Sequence, residues 1–383
     1  MTVNDRFFRR GMALALILCS LLLLLAGCGK TEPDTPDELQ DPVVEPDLPA
    51  EPEPQPEPEP DPDLFVAEGN VNPLTGQCDG ISDEALTHRP AAVMINNIST
   101  SLPQWGISQA DIIYEMLAEG RITRLLAIFQ DYSKIEKLAS IRSARPYYMD
   151  IAQSYGAVYI HFGGSEPAYE QIAKRKDLIH IDGIKGNWEG TVFFRDPDRK
   201  KQMGLEHSVY TTGEYLAAAM EKLESQGYDL NQSTHPSAFT FSERLSENAA
   251  VGGEAANKIT LTFSERHKPW FEYDAESGKY LRFEYGEAQM DGWLNTQIAT
   301  ENVLVLRMKT VDVKSDLHLV DVTTTGSGDG YYFCGGKYVP ITWKKDSYNS
   351  EIRYFDAQGN DLVVARGKTF ASVVTESASV VIE

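Results

Sequence analysis

An acidic, proline-rich tract sets where this chain can fold. Between Thr31 and Asp63 there are 13 Asp or Glu, 11 Pro and no basic residue, and Glu51 to Asp63 is nearly an alternation of acid and proline. Proline removes amide donors and like charges repel, so such a tract extends instead of building a core. At about 3.1 Å per residue it reaches on the order of 100 Å. Folding is therefore expected in the residues that follow it.

The segment before the tract reads as an address. Arg6, Arg9 and Arg10 precede an unbroken apolar run from Met12 to Leu25. That run is shorter than the roughly 20 residues a spanning helix needs, and a basic start with a short apolar run marks an export signal. It ends in Leu25-Ala26-Gly27-Cys28. Small residues before a cysteine form a bacterial lipobox, in which the thiol takes up a diacylglyceryl group, and two acyl chains give a stable anchor. Residues 1–27 are thus expected to be a signal peptide. Cys28 is the expected lipidation site, residues 28–63 the tether, and the outer face of the cytoplasmic membrane the location. The leader carries +2, the tether −13 and Lys30 +1, so a net charge of −22 leaves −12 on residues 64–383. A chain this acidic is not expected to bind nucleic acid, which selects cationic surfaces. Cys78 and Cys334 remain in the folded part, and their spacing alone decides neither pairing nor freedom.

The rest of the sequence changes character once. Over residues 64–240, strand-like and helix-like runs alternate. Ala91 to Ile95, Ile112 to Ala118, Ile122 to Phe129 and Ala157 to Phe162 read as strands. Pro146 to Ser154 reads as a helix with proline in its first turn, Ser165 as the cap of another, and Thr211 with Glu214 as the start of a third. Over residues 241–383 helical patterns vanish, and short β-branched or aromatic runs recur between Gly, Asp and Asn. The expected fold class is α+β: an N-terminal mixed α/β sheet domain, then a mostly antiparallel β domain.

Several segments together resemble the YerB-like lipoproteins of mostly Gram-positive bacteria. They include Asn72-Pro73-Leu74-Thr75-Gly76, Arg89-Pro90-Ala91-Ala92-Val93-Met94-Ile95-Asn96-Asn97, and Gln109-Ala110-Asp111-Ile112-Ile113-Tyr114-Glu115. Glu119-Gly120-Arg121-Ile122-Thr123-Arg124, Ser140-Ile141-Arg142-Ser143-Ala144-Arg145-Pro146-Tyr147, and Thr342-Trp343-Lys344-Lys345 continue the match. The resemblance spans nearly all of residues 70–375. It implies a two-domain surface lipoprotein of unknown biochemical function and transfers no catalytic residue.

Arginine density is the most informative chemical feature. Arg121, Arg124, Arg142, Arg145 and Arg195 stand in an acidic chain, and guanidinium groups match carboxylate or phosphate in two-pronged fashion. One reading is an anion-binding site for an envelope ligand or partner protein. The other is internal ion pairing: a two-residue turn at Gly120-Arg121 puts Leu117 opposite Arg124, with Glu115 and Glu119 diagonal to it on one face. A looser similarity links Asp111, Arg142 and His161-Phe162-Gly163-Gly164 to the LytR–CpsA–Psr phosphotransferases. It implies an alternative enzyme acting on a polyprenyl-pyrophosphate-linked precursor, with Arg142 and Arg145 on phosphate and Asp111 on Mg²⁺. Outside that alternative no cofactor or metal is expected, because the seven His show no metal-ligand spacing. The balance of these readings leans away from an enzyme.

Overall fold

The computed structural model describes residues 61–231, 239–244, 246–313 and 315–383. The leader, Cys28 and the tether up to residue 60 lie outside them. All described residues belong to a single unit, Glu59–Glu383.

Local sequence explains most elements of the first half. Ser82 caps α1 (Asp83–Thr87) by accepting from the Ala85 amide. The run AAVMIN makes β1 (Ala91–Asn96), and β2 (Ile112–Leu117) and β3 (Thr123–Phe129) form an antiparallel hairpin; all three strands are buried along their whole length. Such strands read as continuous apolar runs because both faces are covered. Pro146 starts α2 (Pro146–Ser154), where its missing amide costs nothing. Then come β4 (Val158–His161), α3 (Glu166–Lys174) capped by Ser165, and β5 (His180–Asp182). The basic cluster after Arg195 turns out to be a helix, α4 (Pro197–Met203), whose cap is the Asp196 carboxylate. The last helix, α5 (Gly213–Ser225), is capped by Thr212, one residue after the expected Thr211.

The second half is strands, as expected. β6 (Lys258–Leu261), β7 (Trp270–Asp274) and β8 (Lys279–Glu284) form a meander. β9 (Asn302–Met308), β10 (Gly326–Cys334) and β11 (Lys337–Lys345) pair antiparallel in sequence order. β12 (Thr369–Thr375) and β13 (Val380–Ile382) follow, β13 closing on β6.

The largest sheet has eleven strands and crosses the expected boundary at residue 240. β12 runs parallel to β9 on one side and parallel to β2 on the other, pairing Ile112 with Thr369 and Met116 with Val373. The order runs β11-β10-β9-β12-β2-β3-β1-β4-β5 through the two halves, with the short strand Glu254–Ala255 outside β11. The buried apolar residues form one cluster from Leu74 to Val374. A strand from late in the chain therefore supplies the hydrogen-bond partner of β2.

This topology predicts that the first half does not stand alone. Residues 64–240 expressed by themselves should show no cooperative thermal melt by circular dichroism, because β2 loses a full row of ladder partners. A sharp melt of that segment would refute the dependence.

Candidate functional site

A cleft of about 830 Å³ opens where the two halves meet. Its wall comes from Ile98 and the β2–β3 loop on one side, and from Phe263–His267 and Tyr285 on the other. Ile98, Ile122, Phe263 and Tyr285 make it partly apolar, while Arg121, Glu265 and Arg266 bring charge. His267 lies at its floor, with 2% of its side chain exposed.

Two of the walls hold unusual backbone. Arg121 has φ 64° and follows Gly120 at φ 60°. Tyr285 has φ 51° and with Gly286 makes the two-residue turn after β8, since Glu284 pairs with Glu287. Both central residues of such a primed turn need positive φ, which suits Asn or Gly and not a bulky aromatic. Strain of this kind costs about 1–3 kcal/mol per residue and gathers at functional sites. The Tyr285 hydroxyl, donating to the Asn97 carbonyl at 2.8 Å, helps hold it.

Behind the floor sits a buried charged cluster. Glu115 of β2 is fully buried and pairs with the equally buried Arg282 of β8. Its Oε1 accepts from Thr123 Oγ1 at 2.8 Å and Asn97 Nδ2 at 3.0 Å, and lies 2.7 Å from His267 Nε2. Burial opposes its charge, but Arg282, His267 and Thr123 together keep its pKa below the usual value. Glu284 of β8 has the opposite balance. Among the described residues neither of its carboxylate oxygens has a hydrogen-bond partner. Burial pushes its pKa up to about 8, the Glu115 charge adds to that, and Arg282 with the nearby Asn97 and Gln104 amides tempers it. One ligand atom from each of Glu115, His267 and Glu284 lies within 4.8 Å of the others.

The five arginines singled out from sequence are dispersed among carboxylate partners. Arg124 and Arg145, both buried, clasp the two oxygens of Glu119, and Arg124 also donates to the Ser143 carbonyl. Burial and the Arg145 charge lower the Arg124 pKa to about 10. Arg142 binds Glu206, at 3.2 Å to Oε2, and Arg195 binds Glu189 at 2.8 Å. Arg121 pairs with Asp312, but that pair is 55% and 64% exposed. Of the five, Arg121 lines the cleft.

Asp111 lies before β2, whereas Glu119 follows it. It accepts from the Gln130 amide and from Asn72, and burial raises its pKa to about 6. The pocket it lines, about 190 Å³, includes Lys368 and Asp79 and none of the five arginines. Arg199 is held by the carbonyls of Ser101, Pro103 and His207. Cys78 and Cys334 are both free, and burial raises the Cys334 pKa to about 11.

One expectation about the hairpin is corrected. The turn occupies Glu119–Arg121, so Arg124 pairs with Met116 and Leu117 with Thr123. That is a one-residue difference from the expected register, and such a difference moves a side chain to the other face. Glu119 still reaches Arg124. Glu115 does not: it faces His267 and Arg282. Residues 97, 267, 282 and 284 escaped the sequence reading, although β8 carried a signal. There Arg282 and Glu284 fall in phase with buried Tyr280, while Leu281 and Phe283 lie on the more exposed face. Charges on the core side of an alternating strand mark an internal polar site.

Comparison with known proteins gives a consistent picture. Residues 74–228 match the family described as "Protein of unknown function (DUF3048) N-terminal domain", and residues 259–371 match its C-terminal domain. A Bacillus subtilis (strain 168) protein, "Putative lipoprotein YerB", is 28% identical over 313 residues, covering 79% of this chain and 86% of that one. The crystal structure of YerB from Bacillus subtilis superposes with a TM-score of 0.69 at 27% identity. It covers 82% of this chain and all of the other.

The buried carboxyl predicts a pH effect with a definite sign. The folded pKa of Glu284 lies above its unfolded value of 4.5, so the folded state binds the extra proton. Stability from this group is fully present below about pH 4.5 and is lost as pH rises through about 8. Glu284→Gln should therefore gain on the parent as pH rises from 5 to 8, by at most about 5 kcal/mol. Urea unfolding across that range, with chelator present, checks it. A stability difference that stays flat with pH would show that Glu284 titrates normally.

Proposed function

This chain belongs to the DUF3048 family and is similar to YerB, and from that premise we propose that it is a lipid-anchored extracytoplasmic protein that binds an anionic envelope ligand. Cys28 carries the diacylglyceryl group, the acidic tether holds the folded part away from the membrane, and the cleft between the halves receives the ligand. Among the described residues no helix is long and apolar enough to cross a membrane.

The observation that carries the binding reading is the state of Arg121. Four of the five arginines are at most a quarter exposed and held by carboxylates. Releasing Arg124 or Arg145 would strand Glu119, which is costly for a mostly buried charge. Arg121 is bound in a solvent-exposed pair worth about 0–1 kcal/mol. A ligand that outbids Asp312 gains a guanidinium at little cost. Arg266 stands on the opposite wall and Phe263 and Ile122 lie between, so an anion with an apolar portion suits the cleft best. The alternative, a phosphotransferase using Asp111, Mg²⁺, Arg142 and Arg145, has less support because the pocket that Asp111 lines includes neither arginine among the described residues.

Two experiments test these statements. Cys28→Ser should move the protein from the membrane fraction to the soluble fraction; retention there would refute the lipid anchor. For the cleft, the full chain in nanodiscs is titrated with pyrophosphate and geranyl pyrophosphate while its melting is followed. At 100 times its Kd a ligand stabilises by about 2.7 kcal/mol, a shift of several degrees for a domain this large. The shift should be larger for the prenylated probe and absent in Arg121→Ala/Arg266→Ala. No shift in the parent, or an equal shift in the variant, would sink the reading.

A further inference from the structure

We propose that Glu115, His267 and Glu284 form a site for a divalent metal ion of the zinc or manganese type beneath the floor of the cleft. The inference rests on geometry separate from the anion-binding residues. One ligand atom from each residue lies within 4.8 Å of the other two, and all three side chains are nine-tenths or more buried. The two carboxylates come from different halves of the chain, so the folded structure creates the cluster.

Glu284 supplies the second observation. Both of its oxygens are enclosed and lack a hydrogen-bond partner, and His267 Nδ1 lacks one as well. Buried polar atoms are normally satisfied, and an orphaned buried carboxylate needs an explanation. Arg282 lowers the Glu284 pKa but makes no hydrogen bond to it: its Nη2 is engaged by Glu115, its Nε lies 3.3 Å from Gln289 Oε1, and its Nη1 is itself a buried donor without a partner. A cation held by all three residues would satisfy the Glu284 carboxylate directly.

The donor set narrows the ion. One imidazole nitrogen with two carboxylates suits zinc, manganese or iron, whereas calcium and magnesium favour oxygen-only shells with more ligands. Three protein ligands leave a fourth position for water or for a group entering from the cleft. His267 Nε2 and Glu115 Oε1 already stand 2.7 Å apart. Bonds of about 2.0–2.2 Å to one ion require ligand atoms that lie within 4.8 Å of one another to gather around it. The outer support is present: Thr123, Asn97 and Arg282 hold the Glu115 carboxylate in place. Such outer partners orient metal ligands and raise affinity about 10–100-fold.

Sequence spacing had no way to show this site, since its members stand at positions 115, 267 and 284. The test uses the full chain in nanodiscs, stripped with EDTA and dialysed separately against micromolar ZnCl₂, MnCl₂, MgCl₂ or CaCl₂. Metal per chain is measured by mass spectrometry, and the melting temperature is followed in parallel. The parent should retain one equivalent of zinc or manganese and melt several degrees higher with it. Glu284→Gln, which keeps the shape of the side chain, should bind at least tenfold more weakly while melting in EDTA no lower than the parent. Two results would overturn the site: no metal retained by the parent, which would leave Arg282 as the sole cation of the cluster, or equal retention by Glu284→Gln, which would place the ion elsewhere. No anionic ligand is present in this assay, so its failure is separate from failure of the cleft reading.

Discussion

The ion pair between Glu115 and Arg282 joins positions 167 residues apart at a place neither side chain shares with water. Desolvating two charges is expensive, and their attraction repays it only when the remaining polar atoms are also met. Glu115 meets that condition through Thr123, Asn97 and His267. Removing one partner of such a pair costs about 3–5 kcal/mol, because a lone charge is then buried. The pair therefore fixes how β8 of the small sheet lies against β2 of the large one. The cleft depends on that fixed relation, since its two walls follow directly from these strands: Gly120–Ile122 after β2 and Tyr285 after β8.

The ladder of the large sheet imposes the same relation from a second direction. β12 is parallel to both β2 and β9, so its position is set by two registers at once. A slip of one residue on either side would exchange the faces of Phe370 and Val373, which are both buried, and force each into a space shaped for the other. Further along, the Asp291 carboxylate accepts from the Gly106 and Ser108 amides, binding the second half to the loop before β2. Backbone pairing, a buried ion pair and a loop clasp thus constrain one junction independently. Agreement among such constraints gives a single arrangement and tolerates local strain within it.

What the sequence could reveal follows the range of the interactions involved. Pro146–Ser154 was legible because a proline at the first helical position and a following helical run are local signals. The strands of both halves were legible for the same reason. The hairpin register was not, because one extra loop residue leaves no trace in composition and yet reverses every side chain. Reading Gly120-Arg121 as the whole turn put Glu115 beside Arg124, whereas the Glu119–Arg121 turn sends it to Arg282. The cleft residues lay further out of reach, because their proximity is produced by β12 and β8 and no local pattern encodes it.

Arginine density in an acidic chain carried two meanings, and exposure separates them. Arg124 and Arg145 are side chains around which the fold closes, both matched to the mostly buried Glu119 carboxylate, which it would cost energy to abandon. Arg121 has the same chemistry but sits at a turn with positive φ, in water, with a partner it can leave cheaply. A residue held in a strained backbone yet weakly committed through its side chain is kept in readiness by the rest of the structure. Tyr285 across the cleft shows the same combination of strain and partial exposure. Sequences are locally consistent with their folds except where function requires otherwise. Here strained turns, a charged floor and an orphaned carboxyl all converge on the same cleft, where ligand chemistry would be expected to use them.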